Sequence, residues 1–169
     1  MSGQRMLVRA AVGLTASAAT VVFATIGTAS AEVEVTKLSQ SAAASQLSAA
    51  GVTHSSSGGC TTRSNSTCTS YDQINQTTVT GVITLKRASG CAINITGGTE
   101  VGHASGTYSH YNGYKVDIAH NSCIDNYIKN SFSYIGLRGD GYPQWKAGSG
   151  NLYCDEGNHW DITYYTCGC

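Results

Sequence analysis

Seven cysteines, at positions 60, 68, 91, 123, 154, 167 and 169, constrain this chain more than any other feature of it. What they do depends on how the chain begins. Arg5 and Arg9 make a short basic opening, small and apolar residues run from Ala10 to Gly27, and Ala29-Ser30-Ala31 supplies the small-x-small pattern of a leader cleavage site. The apolar run is too short, and too rich in Ala, Ser and Thr, for a membrane span. The expectation is a signal peptide over residues 1–31 and a secreted, extracellular remainder of 138 residues that keeps every cysteine. In that compartment disulfides are the leading reading. An odd number leaves at least one thiol unpaired or shared with another molecule. Cys60 and Cys68 make a local staple across "TTRSNST", and Cys123 with Cys154 would join a helix to the segment that carries Glu156. A structural zinc site built on Cys167-Gly168-Cys169 is the competing reading.

A remainder of this length is one domain with a modest core. Losing Arg5 and Arg9 with the leader leaves eight basic against ten acidic side chains. So small an imbalance argues against nucleic acid and against membrane-surface attraction, and a monomer without membrane contact is expected once the leader is gone. Residues 32–59 read as an N-terminal helical and loop extension, with Leu38, Ala42, Ala43, Leu47 and Ala50 near helical spacing and Gly51 as the stop. Residues 60–169 form the main domain. There a capping-box pattern, Ser70 to Gln73, predicts a helix from residue 70 to Ser89-Gly90. "CAINIT" and "YKVDI" read as strands around a glycine-rich loop, and "CIDNYIKNSF" as a short helix started by Asn121 or Ser122. "SYIGL", "YPQWKA", "LYCDEG" and "HWDITYY" follow as short strands. The fold class is α+β, with helices packed on one side of a small antiparallel sheet stapled by disulfides.

The chemistry gathers in two stretches. In "SHYNGYKVDI", Gly113 lets the backbone turn between His110 and Asp117, and Asp117 alternates with Val116 and Ile118, so it points toward a cleft. In "CDEGNHWDI", Glu156 and His159 stand three apart just before another strand. Two histidines and an aspartate make a three-ligand zinc set with the fourth position open. A glutamate beside the last ligand can accept a proton from the attacking water and hand it to a leaving amine. His54 and His120 read as surface residues, and Arg138-Gly139-Asp140 as a turn. Tyr108, Tyr111, Tyr114, Tyr142 and Trp145 either stack on sugars or pack on sheet faces.

Taken together, Ser-His110-x6-Asp117 with Gly113, followed by Glu156-x-x-His159, resembles the zinc D-alanyl-D-alanine carboxypeptidases. That family includes phage L-alanyl-D-glutamate endopeptidases and shares its metal arrangement with hedgehog-type domains. The likeness runs over roughly Tyr71 to Tyr165. It implies a hedgehog-like peptidase fold, a Zn2+ cofactor on His110, Asp117 and His159, and Glu156 as general base. Ser109 and Gly113 match the residues flanking the first ligand, and Trp160 matches an aromatic after the last one. Two positions depart from the pattern. Asn158 stands where the family has tryptophan, and "TGGTE" puts Glu100 where an arginine holds the substrate carboxylate or oxyanion, a task an ionised glutamate does not perform. His103 and Arg138 are the candidates to replace that arginine, and Ser109, Glu100 and Trp160 complete the expected substrate-binding set. The implied function is a secreted zinc peptidase that hydrolyses an amide in peptidoglycan stem peptides, as a D,D-carboxypeptidase or an endopeptidase. Two alternatives stand beside it. One is a non-catalytic binding or effector module on the same fold, with Glu100 as the mark of lost catalysis. The other is a disulfide-stapled structural protein without metal.

Overall fold

The computed structural model describes residues 35–169, so the expected signal peptide lies outside the described residues. In chain order the elements are β1 (Lys37–Leu38), α1 (Gln40–Ala49), β2 (Thr53–His54), β3 (Ile74–Asn75), α2 (Gln76–Ser89), β4 (Asn94–Gly97), β5 (Lys115–Ala119), α3 (Ser122–Ser131), β6 (Ser133–Leu137), β7 (Pro143–Lys146), β8 (Leu152–Asp155) and β9 (His159–Thr163). β1 pairs with β3, and the remaining strands form one seven-stranded sheet in the order β2-β4-β5-β9-β8-β7-β6.

The α+β class is as expected, but the sheet is neither small nor wholly antiparallel. β2 runs parallel to β4, joined by Thr53 N donating to Ile93 O at 3.0 Å and Ser55 N to Ile95 O at 3.0 Å. An exposed "THS" run carries no apolar alternation, so nothing in its composition announces a strand.

The helices follow local chemistry. Ser39 caps α1 by accepting from Ala42 N at 3.3 Å, and Asn121 caps α3 by accepting from Ile124 N at 3.0 Å. The second helix starts six residues later than the capping box predicts. Gln73 has φ of 65°, a left-handed conformation through which a helix does not pass. Ser70 Oγ instead accepts from Asp72 N at 3.1 Å, making a turn, and Asn75 becomes the N-cap.

Alternation gives the sheet two unlike faces. Val116 and Ile118 of β5, Tyr153 of β8, and Trp160 and Ile162 of β9 join Val79, Val82 and Leu85 of α2 and Ile124 and Ile128 of α3 in one core. The region expected as an N-terminal extension adds Ala43, Leu47 and Val52 to that core. Each fully buried aliphatic side chain there contributes about 1.5–3 kcal/mol. The intervening residues, Lys115, Asp117, His159, Asp161 and Cys154, sit on the opposite face, because cross-strand partners such as Asp117 with Asp161 and Cys154 with Asp161 share a side.

The disulfides divide the same way. Cys60–Cys68 forms as expected. Cys123 pairs with Cys91, not with Cys154. The reason is alternation: Tyr153 faces the core that α3 packs on, so Cys154 points away from α3, whereas Asn121 Nδ2 donates to Ala92 O at 3.0 Å and brings the start of α3 to Cys91. With a sequence separation of 32 between its ends, this bridge contributes on the order of 3–4 kcal/mol through chain entropy. Cys167 and Cys169 pair with each other, which leaves no thiolates there for a structural zinc. Cys154 is the free thiol, buried, and burial pushes it up to about 11 despite nearby Arg138, so at neutral pH it stays protonated and unreactive.

Candidate metal centre

Asp117 sits in the middle of β5 with Asp161 directly across on β9. Its carboxylate lies against the backbone of Gly97 in β4, where an added Cβ would come within 2.3 Å of Asp117 Oδ2. A glycine there is what makes room for the acid. His110 arrives on the turn before β5. Ser109 Oγ accepts from Asn112 N at 3.2 Å, and Gly113 N donates to His110 O at 2.7 Å. Gly113 has φ of 77°, and a Cβ on it would meet Gln73 O at 2.6 Å, which accounts for the motif's glycine.

His110 is 5% exposed and donates Nδ1–H to Gly98 O at 2.8 Å. A carbonyl only accepts, so Nδ1 carries the proton and Nε2 is free to face the cavity. That Nε2 lies 3.2 Å from Asp117 Oδ1 and 3.7 Å from Asp161 Oδ1. At the β8–β9 turn, Glu156 N donates to His159 O at 3.0 Å, which sets the two side chains together, with Glu156 Oε2 3.3 Å from His159 Nε2. His159 Nδ1 donates to Asn158 Oδ1 at 2.6 Å, and its Nε2 points to Asp117 Oδ1 at 3.5 Å. Asn158 thus orients the ring and fixes its tautomer. His110, Asp117, Glu156 and His159 line one cavity of ≈ 550 Å³ together with His103 and Arg138.

The other expected substrate-binding residues divide. His103 faces the cavity, its Nε2 donating to Glu100 Oε1 at 3.1 Å and its ring stacked on His110 at 3.8 Å between centroids and 15° between planes. Glu100 does not line this cavity. It is 2% exposed and accepts from Ser70 N at 2.7 Å and Gly98 N at 3.0 Å. Burial opposes its ionisation, but His103 and those N–H groups hold its carboxyl below the usual range. Arg138 enters from the β6–β7 turn and donates to Asp140, to Glu156 and, at 2.8 Å, to Asp161 Oδ2. Arg138-Gly139-Asp140 is therefore a turn closed on itself. Ser109, 4% exposed, is turned toward its own loop, and Trp160 is wholly buried in the core with Nε1 donating to Asp125 Oδ1 at 2.8 Å, so neither lines this cavity.

Residue-type reasoning missed Asp161 and Lys115, joined at 2.6 Å, although alternation along "HWDIT" puts Asp161 on the side of His159. His120, expected at the surface, lies between Asp125 at 2.8 Å and Asp155 at 3.2 Å. Asp155 turns away from the cavity to Lys129 at 3.0 Å, as its alternation with Glu156 requires. Tyr108 packs edge-on against Tyr114 and Tyr165, and Trp145 against Trp160.

What this arrangement can hold follows from its lone pairs. Buried Asp117 Oδ1 and Asp161 Oδ1 have no hydrogen-bond donor, and both neighbouring imidazoles present Nε2 with Nδ1 already committed. Anionic oxygens facing nitrogen lone pairs in a buried pocket need a cation between them. Donor atoms of His103, His110 and Asp117 all lie within 4.8 Å of one another, a grouping that could hold a metal ion. A proton is the alternative cation. Burial disfavours charge on His110, but Asp117 and Asp161 outweigh it and raise the imidazole to about 10. Burial works against Asp161 too, yet His110 and Lys115 hold its carboxyl well below the ordinary range.

A pH dependence follows. His110 is raised in the folded state, so in metal-free protein its stabilisation is complete below the unfolded value near about 6.5 and is lost as pH rises through about 10. A metal must displace that proton, so its apparent affinity should climb by up to about tenfold per pH unit between about pH 6.5 and 9. Metal titrations and melting temperatures across that window check both signs. Comparison with protein-family models, curated proteins and solved structures returned no match.

Proposed function

We propose that this chain is a metal-dependent hydrolase, a secreted zinc peptidase that cleaves an amide bond in peptidoglycan stem peptides. One observation carries the reading: His110 and His159, each with Nδ1 committed to an acceptor, aim Nε2 at the same oxygen of Asp117 beside Glu156. His110, Asp117 and His159 would hold the zinc. His159 suits the third place better than His103, because an imidazole coordinates in its ring plane and two rings stacked at 15° have no common in-plane point between them. When bound, zinc would polarise the scissile carbonyl and acidify water. Glu156 takes the proton from the attacking water and returns it to the leaving nitrogen. Lys115 and Arg138 hold Asp161 beside His110 and keep the floor of the cavity in place. Three disulfides, and the lack of any helix among the described residues long and apolar enough to cross a membrane, accord with export.

The binding-module reading has an observation of its own: Arg138 already occupies Oε1 of Glu156. Zinc content and cleavage of purified peptidoglycan, with and without a chelator, separate the two. Zinc-dependent release of peptide is the expected result. Zinc-loaded protein that cleaves nothing supports the binding module, and protein that takes up no zinc ends the metal reading.

A further inference from the structure

We infer that the cavity accepts an amide inside a chain and turns away one followed by a free terminal carboxylate; this rests on the hydrolase reading above and names its substrate class. The cavity wall carries four carboxylates, Asp117, Asp140, Glu156 and Asp161, against two permanent cations, Lys115 and Arg138. Neither cation is spare. Arg138 Nε and Nη2 donate to Asp140 at 2.9 and 2.6 Å, Nη2 also to Glu156, and Nη1 to Asp161 at 2.8 Å. Lys115 Nζ is held 2.6 Å from Asp161 Oδ2. Arg63, which lines a neighbouring pocket, is folded over the Tyr111 ring at 3.9 Å and donates to Tyr111 O at 2.6 Å. Among the described residues lining the cavity, a substrate carboxylate therefore meets no unpaired cation. A divalent metal would only bring the wall to neutrality. An incoming carboxylate beside Arg138 would be the fourth around one guanidinium, and like charges at that range repel. A neutral peptide bond continuing past the scissile amide brings no such charge.

The test uses one stem pentapeptide ending in D-alanyl-D-alanine, supplied as the free acid and as the C-terminal carboxamide, with zinc-loaded wild-type protein. The carboxamide should give a kcat/KM about tenfold or more above the acid. Equal or better use of the acid overturns the inference. Where neither peptide is cleaved, the hydrolase reading fails, and dissociation constants for the same pair decide the inference separately: tighter carboxamide binding sustains it, and equal binding or none overturns it. Asp140→Asn provides the second arm. Asp140 is half-exposed in the β6–β7 turn, and removing its charge frees part of Arg138. The variant should shift preference toward the acid by several-fold, and an unchanged ratio overturns the charge argument.

Discussion

Replacing Glu156 with glutamine is expected to leave zinc bound and to lower turnover by about 10²–10⁴-fold, the loss typical of a positioned general base. The amide keeps the size of the side chain and can still meet the loop around it, but it does not take a proton from water. Arg138 makes the experiment more informative, because it binds Glu156 Oε1 while Oε2 faces His159 Nε2 at 3.3 Å. If Oε2 is the working oxygen, Arg138 orients the carboxylate and leaves the reactive side open. Asp155→Asn is the control, since Asp155 points to Lys129 and His120 on the helix side of the sheet. Activity per bound zinc, compared across the two variants on purified peptidoglycan, checks the assignment. Full activity in Glu156→Gln removes the mechanism.

The second large effect separates the two histidines that compete for the third ligand position. His159→Ala should weaken zinc binding by more than about 100-fold, beyond what loss of an outer-sphere partner costs. His103→Ala should change it by no more than about tenfold, because His103 stacks on His110 and is tied to buried Glu100. Calorimetric zinc titration of both variants at one pH gives the comparison. Loss of zinc in His103→Ala with retention in His159→Ala would reassign the site to His103, His110 and Asp117, whose donor atoms are also close enough to share an ion.

Much of the cavity was legible because its residues obey strand alternation. "YKVDI" and "HWDIT" each put apolar residues on one side and His, Asp or Lys on the other, and the sheet keeps that division. What stayed hidden depended on contacts far apart in sequence. Glu100 reads as a misplaced substrate residue until Ser70, 30 positions earlier, is seen donating to it. Trp160 reads as a mouth aromatic by analogy, yet its own alternation with His159 sends it into the core. The pairing of Cys91 with Cys123 required knowing that α3 starts against Ala92. The late start of α2 turned on the left-handed conformation of Gln73, which residue type does not foretell.

The division of β9 between its two sides has a consequence for how this protein can vary. His159 and Asp161 serve the cavity while Trp160 and Ile162 are fully buried, and the two sets interleave one by one. Substituting any one of them disturbs one task. Deleting or inserting a single residue within the strand would exchange the two sets, pushing carboxylate and imidazole into the apolar core and tryptophan into the cavity. The length of β9 is therefore held more tightly than its composition, and tolerated changes of chain length belong in turns such as 148–150, which lies between two strands and lends no residue to the cavity.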